Sequence, residues 1–227
     1  MTSNKNQGLD INTSISKSEA FIEKNKKSLL IAFAIIIVLI AGVFCYKSYI
    51  EKPREDKAST LIAKGQDYFA AGDFDKALNG DNMGWIGFTK LAKEYSSTDA
   101  GNLANLYAGI CLAQQGKAQE AIKYLKDYDT ADDAMIKPAA LGALGNCYAK
   151  IGQLDKAIST LKDAAEEADN NALSPIYLIQ AGEILESQNK YDDAIQLYQE
   201  VKDKYYQSAQ SEEIDKYIER AKNKAGK

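Results

Sequence analysis

Histidine is absent from the 227 residues, and only three prolines, three cysteines and one tryptophan occur. Without histidine the chain cannot build a Ser-His-Asp or Cys-His nucleophile, a zinc site with imidazole ligands, or the usual general base poised near neutral pH. An enzyme on this chain would have to work with carboxylates, lysine or tyrosine, and none is expected. The chain also lacks an arginine-rich segment, and its pI is near 5.1. The positive footprint that attracts nucleic acid is therefore missing, and no nucleic-acid partner is expected. No phosphate-binding loop or metal cage is legible, so no cofactor, metal or small-molecule substrate is expected either.

What is present divides unevenly. The mean hydropathy of −0.37 describes an ordinary soluble domain, yet Ser28 to Tyr46 form nineteen consecutive uncharged residues. As a helix, the apolar run Leu29 to Tyr46 reaches across a hydrocarbon core of about 30 Å. Tyr46 and Tyr49, beside Lys47 and Lys52, stand where interfacial aromatics belong. A cleaved signal peptide fits less well, because 27 residues containing Asp10, Glu19 and Glu23 precede the run. Phe44, before Cys45, is too bulky for a lipoprotein signal. The segment 28–50 is expected to stay as a transmembrane anchor in contact with the lipid bilayer.

Residues 1–27 are expected to form a cytoplasmic tail, disordered up to about Ser18, with a helix running on from there. Lysines flank both ends of the span, so charge barely discriminates orientation. The orientation expected is N-terminus inside and residues 51–227 outside. The tail carries five lysines against three acids, and residues 28–227 carry 23 basic against 29 acidic side chains, which restores the net −4.

The remainder repeats itself. LIAKGQDYFAAGDFDKAL (61–78), YAGICLAQQGKAQEAIKYL (107–125), LGALGNCYAKIGQLDKAISTL (141–161) and LIQAGEILESQNKYDDAIQLY (178–198) share small residues, a turn residue, and an alanine that introduces a second apolar stripe. The alanines Ala77, Ala121, Ala157 and Ala194 are separated by 44, 36 and 37 residues. Mid-helix Gly109, Gly145 and Gly182 each cost about 1 kcal/mol relative to alanine, so their recurrence implies close approach of a second helix backbone. Gly72, Gly116, Gly152 and Asn189 suit the left-handed conformation that ends a helix. Ser174-Pro175 reads as an N-cap followed by N1, and Lys137-Pro138 as an equivalent start.

These positions resemble the tetratricopeptide repeat family. The third unit carries Leu141, Leu144, Gly145, Tyr148, Gly152, Ala157, Leu161 and Ala164 on family positions, and the second and fourth match nearly as well. The resemblance implies an all-α chain: one transmembrane helix, then an α-solenoid of about four helical hairpins at 58–97, 102–131, 138–171 and 175–206. A capping helix at 211–224 closes the array, with Ser211 as its N-cap and Ile214, Tyr217, Ile218 and Ala221 as its apolar stripe.

The first unit departs from the pattern through the insertion NGDNMGW. Its plainer reading is a tolerated surface loop, the other a partner-binding bulge. The second helix is expected to resume around Trp85, whose ring should pack on Phe74 and Phe88. Cys111 and Cys147 hold equivalent places and should be unpaired, buried thiols. Asp75, Asp155, Asp192 and Asp193 start second helices, where carboxylates offset the helix dipole, so capping explains them without acid–base chemistry.

In the family the ligand face is usually the concave surface of first helices. Carried across, that register selects Leu103, Leu106, Ile110, Gln114, Asn146, Lys150, Ile179, Glu183 and Glu186. Asn146 holds a place where some members grip a C-terminal carboxylate, but Gly142 stands where their lysine would be, which argues against such a clamp. Topology and repeats together resemble the YfgM family of bacterial inner-membrane proteins. That likeness implies a periplasmic scaffold with protein partners: subunits of the Sec translocon and a membrane-anchored periplasmic chaperone. A scaffold of another cell-envelope assembly remains the alternative.

Overall fold

The computed structural model describes residues 11–129 and 135–226, with side chains from residue 21 onward. The first ten positions of the expected tail and the end of the second expected repeat lie outside the described residues. The chain forms two compact units, divided between Pro53 and Arg54. In the first, α1 (Ile11–Tyr46) is followed by a π-helical turn, Lys47–Glu51. The helix thus begins at Ile11, earlier than the start expected near Ser18. Its apolar window averages a hydropathy of 3.0 with nothing buried, and it is long and apolar enough to cross a membrane.

The other described α-helices contribute buried residues to the second unit, the first of them starting just before its boundary. The helices are α2 (Lys52–Ala70), α3 (Phe74–Asn79), α4 (Phe88–Glu94), α5 (Asp99–Gln114), α6 (Ala118–Asp127), α7 (Lys137–Lys150), α8 (Leu154–Ala168), α9 (Ser174–Ser187), α10 (Tyr191–Lys204) and α11 (Ile214–Ala225). Consecutive helices pack as stacked hairpins: α5 on α6, α7 on α8, α9 on α10, with α11 closing against α10. One apolar cluster runs from Ala58 to Cys147, and a second from Leu161 to Ala221.

The repeat is written in hydrogen bonds. At the end of α2, α5, α7 and α9 the residues Gly72, Gly116, Gly152 and Asn189 take φ of 74°, 77°, 77° and 59°. The next residue's N–H reaches back five positions in each case: Asp73 to Tyr68, Lys117 to Leu112, Gln153 to Tyr148 and Lys190 to Leu185, all at 2.9–3.0 Å. This is the Schellman closure, and it turns the chain sharply into the next helix. The mid-helix glycines are spaced for contact, though chiefly with a side chain of the second helix. A Cβ on Gly145 would lie 2.8 Å from Leu161 Cγ, and one on Gly182 would lie 2.4 Å from the Tyr198 ring.

Two expected caps are corrected. Ser174 lies inside the start of α9, where its hydroxyl donates to the Ala165 carbonyl (2.8 Å) and accepts from Asn170 N–H (3.0 Å). Leu173 holds the cap position without a side-chain hydrogen bond, and Asn170 closes the turn before it, its side-chain oxygen accepting from Ala172 and Leu173 N–H at 2.9 Å each. Before α11, Ser208 accepts from Ser211 N–H (3.1 Å) and opens a short 3-10 turn, Ala209–Glu212. The stripe of α11 is as expected, with Ile214, Ile218 and Ala221 buried.

The insertion is a hydrogen-bonded surface loop that brings one residue, Trp85, into the core. Asp81 accepts from Met83 N–H (2.7 Å), Trp85 N–H (2.8 Å) and the Tyr68 hydroxyl (2.7 Å). The Tyr68 hydrogen bond, aided by the Trp85 amide, holds the Asp81 carboxyl below its ordinary pKa, and the same bond raises that of Tyr68. So folded, the loop delivers Trp85 inward, where its ring meets Phe88 edge-on at 5.0 Å. Phe74 pairs with Phe69 at 5.8 Å. The second helix resumes at Phe88, after the loop closes.

Candidate functional site

A groove of about 450 Å3 opens on the face formed by first helices. Its walls come from α5 and α7, and Tyr177 of α9 contributes at one side. Four of the nine residues carried over by register meet there: Ile110, Gln114, Asn146 and Lys150. They meet because α5 and α7 follow one another as first helices, so residues 36 apart, such as Ile110 and Asn146 or Gln114 and Lys150, hold equivalent places.

Small uncharged residues make most of the groove's walls. Ala113, Ala139 and Ala143 line it without projecting far into it, and Gly142 leaves room for the Tyr177 ring. A Cβ on Gly142 would lie 2.3 Å from Tyr177 Cε1, so the missing side chain is what admits the tyrosine. Burial raises the Tyr177 pKa and keeps the phenol protonated. Gln114, Asn146 and Lys150 are exposed, and no other group engages them among the described residues.

The other five residues are placed differently. Leu106 and Ile179 are buried in the two core clusters, and Leu103 is packed against the first of them. Leu106 and Ile179 serve helix packing and are corrected from ligand-facing to structural, whereas Leu103 is half-buried, as Ile110 is, and lies outside the groove. Glu183 is exposed, with Arg220 of α11 at 3.9 Å. Glu186 is also corrected: its side chain is only 5% exposed and is occupied by α11. Arg220 Nη2 donates to it at 2.6 Å, Lys224 at 3.0 Å and the Tyr198 hydroxyl at 2.8 Å. Register alone did not pick out Tyr177 or the alanines, although Ala139 and Ala143, four apart on one helix, mark a face that permits close approach.

Cys147 also lines the groove, yet both it and Cys111 are buried and free. Burial pushes the Cys111 thiol up to about 12 and raises that of Cys147. Both are therefore protonated and shielded at neutral pH. In a Cys45→Ser variant, a water-soluble maleimide is expected to label neither in the native protein and both in denaturant. Native labelling of either, counted by intact mass, would show the groove floor to be open.

A model of the tetratricopeptide repeat-like domain family matches residues 19–219. Among solved structures, MamA superposes with a TM-score of 0.53 at 20% identity, over 74% of this chain and 92% of that one. A tetratricopeptide repeat protein from Parabacteroides merdae gives 0.57 at 17% identity, over 74% and 61%. Kinesin light chain-like repeats from Podosopora anserina give 0.57 at 12%, over 76% and 88%. At these identities the likeness shows the fold. No curated protein matches the chain significantly.

Proposed function

The chain belongs to the tetratricopeptide repeat-like domain family, and from that premise we propose that it is a membrane-tethered scaffold at the bacterial inner membrane. In this reading residues 28–50 are the anchor, the N-terminal tail is cytoplasmic and the repeat unit is periplasmic. Its partners are proteins, namely subunits of the Sec translocon and a membrane-anchored periplasmic chaperone, and its role is to hold exported chains near their chaperones. No catalytic step is assigned to it.

The observation that carries the reading is the pairing of two features within one chain. One is an apolar helix with no buried residue in its apolar window. The other is a repeat unit whose first-helix face leaves an open groove and unengaged polar groups. Confinement to the membrane raises the local concentration of neighbouring membrane complexes, so modest contacts suffice for association.

Crosslinking in native membranes followed by affinity capture of the full-length chain is expected to recover translocon and chaperone subunits. Recovery of outer-membrane or cell-wall assembly factors in their place would transfer the scaffold to another envelope machine. Protease added outside spheroplasts is expected to digest the repeat unit, and full protection would reverse the orientation.

A further inference from the structure

We propose that the hollow beside α7 is a binding site for a small organic acid, one with a ring-sized apolar body and a hydroxyl at the end away from its carboxylate. This goes beyond the scaffold reading and does not depend on which proteins the array meets.

The hollow belongs to one repeat. At the register fixed by Gly109, Gly145 and Gly182, α7 has Ala139 and Gly142 where α5 has Leu103 and Leu106 and α9 has Ile176 and Ile179. Both neighbouring first helices fill these places with large side chains and α7 does not. The space left is about 450 Å3, the size of a small-molecule pocket. Cys147 and Ala118 of α6, only 3% and 6% exposed, are among its walls, so it reaches below the outer layer of side chains. Tyr177 crosses from α9 onto Gly142 and bounds the space on that side. Small walls on two facing helices leave a narrow slot, which a flat ring fills better than a branched chain.

Two unsatisfied groups select the ends of the ligand. The Tyr177 side chain is 8% exposed, and its hydroxyl has no hydrogen-bond partner among the described residues. A Cβ on Gly142 would lie 3.0 Å from that hydroxyl, which places it over α7. Gly142, Asn146 and Lys150 follow at intervals of four and share one face of the helix, with Lys150 roughly 12 Å along from Gly142. Lys150 is the one charged side chain lining the slot and has no ion-pair partner among the described residues. A hydroxyl on the ligand would satisfy the phenol, and a carboxylate would satisfy the ammonium. Gln114, the equivalent of Lys150 in α5, and Asn146 add amide donors beside the carboxylate. No linear motif announces such a site, because its groups come from four helices.

Isothermal calorimetry on the full-length protein in lipid nanodiscs, against empty nanodiscs, tests this. Para-hydroxyphenylpropionate is expected to bind with a Kd below about 1 mM, as suits a ligand of its size. Its carboxamide should bind at least about fivefold more weakly, the equivalent of one exposed ion pair. Phenylpropionate, which lacks the hydroxyl, should lose at least about threefold, and octanoate, which lacks the ring, should also bind more weakly. Lys150→Gln should erase the preference for acid over amide and keep the preference for the hydroxyl. Tyr177→Phe should do the reverse. Each variant thus carries the other's preference as its own check that the slot is folded. Equal affinity for acid and amide, a preference that outlasts the side chain assigned to it, or octanoate bound as tightly as the hydroxylated aryl acid would each overturn the proposal. No binding at about 10 mM would overturn it as well.

Discussion

Trp85→Ala lowers the stability of the first hairpin by about 3–5 kcal/mol, the usual range for removing a fully buried large aromatic. For a unit of this size that corresponds to a fall of roughly 10 °C in melting temperature, followed by far-ultraviolet circular dichroism. Trp85 is 1% exposed and ties several elements together. Its indole N–H is shared between the Lys76 and Ala77 carbonyls at 3.0 and 3.2 Å, and these belong to α3. Its ring lies over Gly65 of α2, where a Cβ would sit 2.3 Å from Cζ2. Phe88 of α4 meets it edge-on and stacks in turn on Tyr107 of α5, with centroids 4.9 Å apart. Alanine leaves a cavity bordered by α2, α3 and α4 and removes the indole donor from both carbonyls, of which that of Lys76 keeps the Gly80 N–H. Trp85→Phe keeps most of the apolar area and should cost about 1–2 kcal/mol, mainly through the lost hydrogen bond and residual space. In a solenoid the damage stays near its origin, so hydrogen exchange should rise in α2 to α5 and little in α9 to α11. A loss under about 1 kcal/mol in the alanine variant would make the insertion an appendage of the hairpin.

The contrast between what was and was not legible follows from distance along the chain. Gly72, Gly116, Gly152 and Asn189 were readable because the closure they make is local, spanning five residues, and it recurs. Gly145 and Gly182 were readable because a mid-helix glycine is costly enough to need a neighbour, though the neighbour is largely the side chain sixteen residues on. The insertion was opaque. Its conformation depends on Tyr68 reaching Asp81 thirteen residues away, and nothing in NGDNMGW alone announces that bond. Asp81 followed by Gly84-Trp85 carried a partial signal, since Asp accepts from backbone two residues on in such turns. Within the groove, register located Ile110, Gln114, Asn146 and Lys150 because equivalent places stack. It misassigned Leu106 and Ile179, since one helix face meets both a ligand surface and a neighbouring helix and periodicity does not divide them.

Glu186 was misassigned for a different reason, and the consequence is measurable. Read by register it faces a partner; in the structure the partner is α11 of the same chain, brought back over 34 residues by Arg220. Burial pushes the Glu186 carboxyl up, but hydrogen bonds from Arg220, Tyr198 and Lys224 outweigh it and hold the group below its ordinary pKa. Glu186→Ala removes the common acceptor of all three donors. Breaking a buried charge pair by deleting one partner costs about 3–5 kcal/mol. The lower end applies because Arg220 and Lys224 are 42% and 50% exposed and regain water, while the Tyr198 hydroxyl, in a fully buried side chain, does not. The expected loss is therefore about 3 kcal/mol, read as faster hydrogen exchange in α11 with α5 to α8 unchanged. Ile214, Ile218 and Ala221 still hold part of the helix, so it opens more often without leaving. The pH dependence carries the sign of a depressed carboxyl. The contribution is fully present above the unfolded-state value and disappears as pH falls through the lower folded-state value. Protection of α11 should thus decline on acidification in the wild-type protein, and less steeply in Glu186→Ala. If both proteins lose protection with the same pH profile, another carboxylate closes the end of the array. If the variant leaves α11 exchange unchanged, the apolar stripe alone holds the cap.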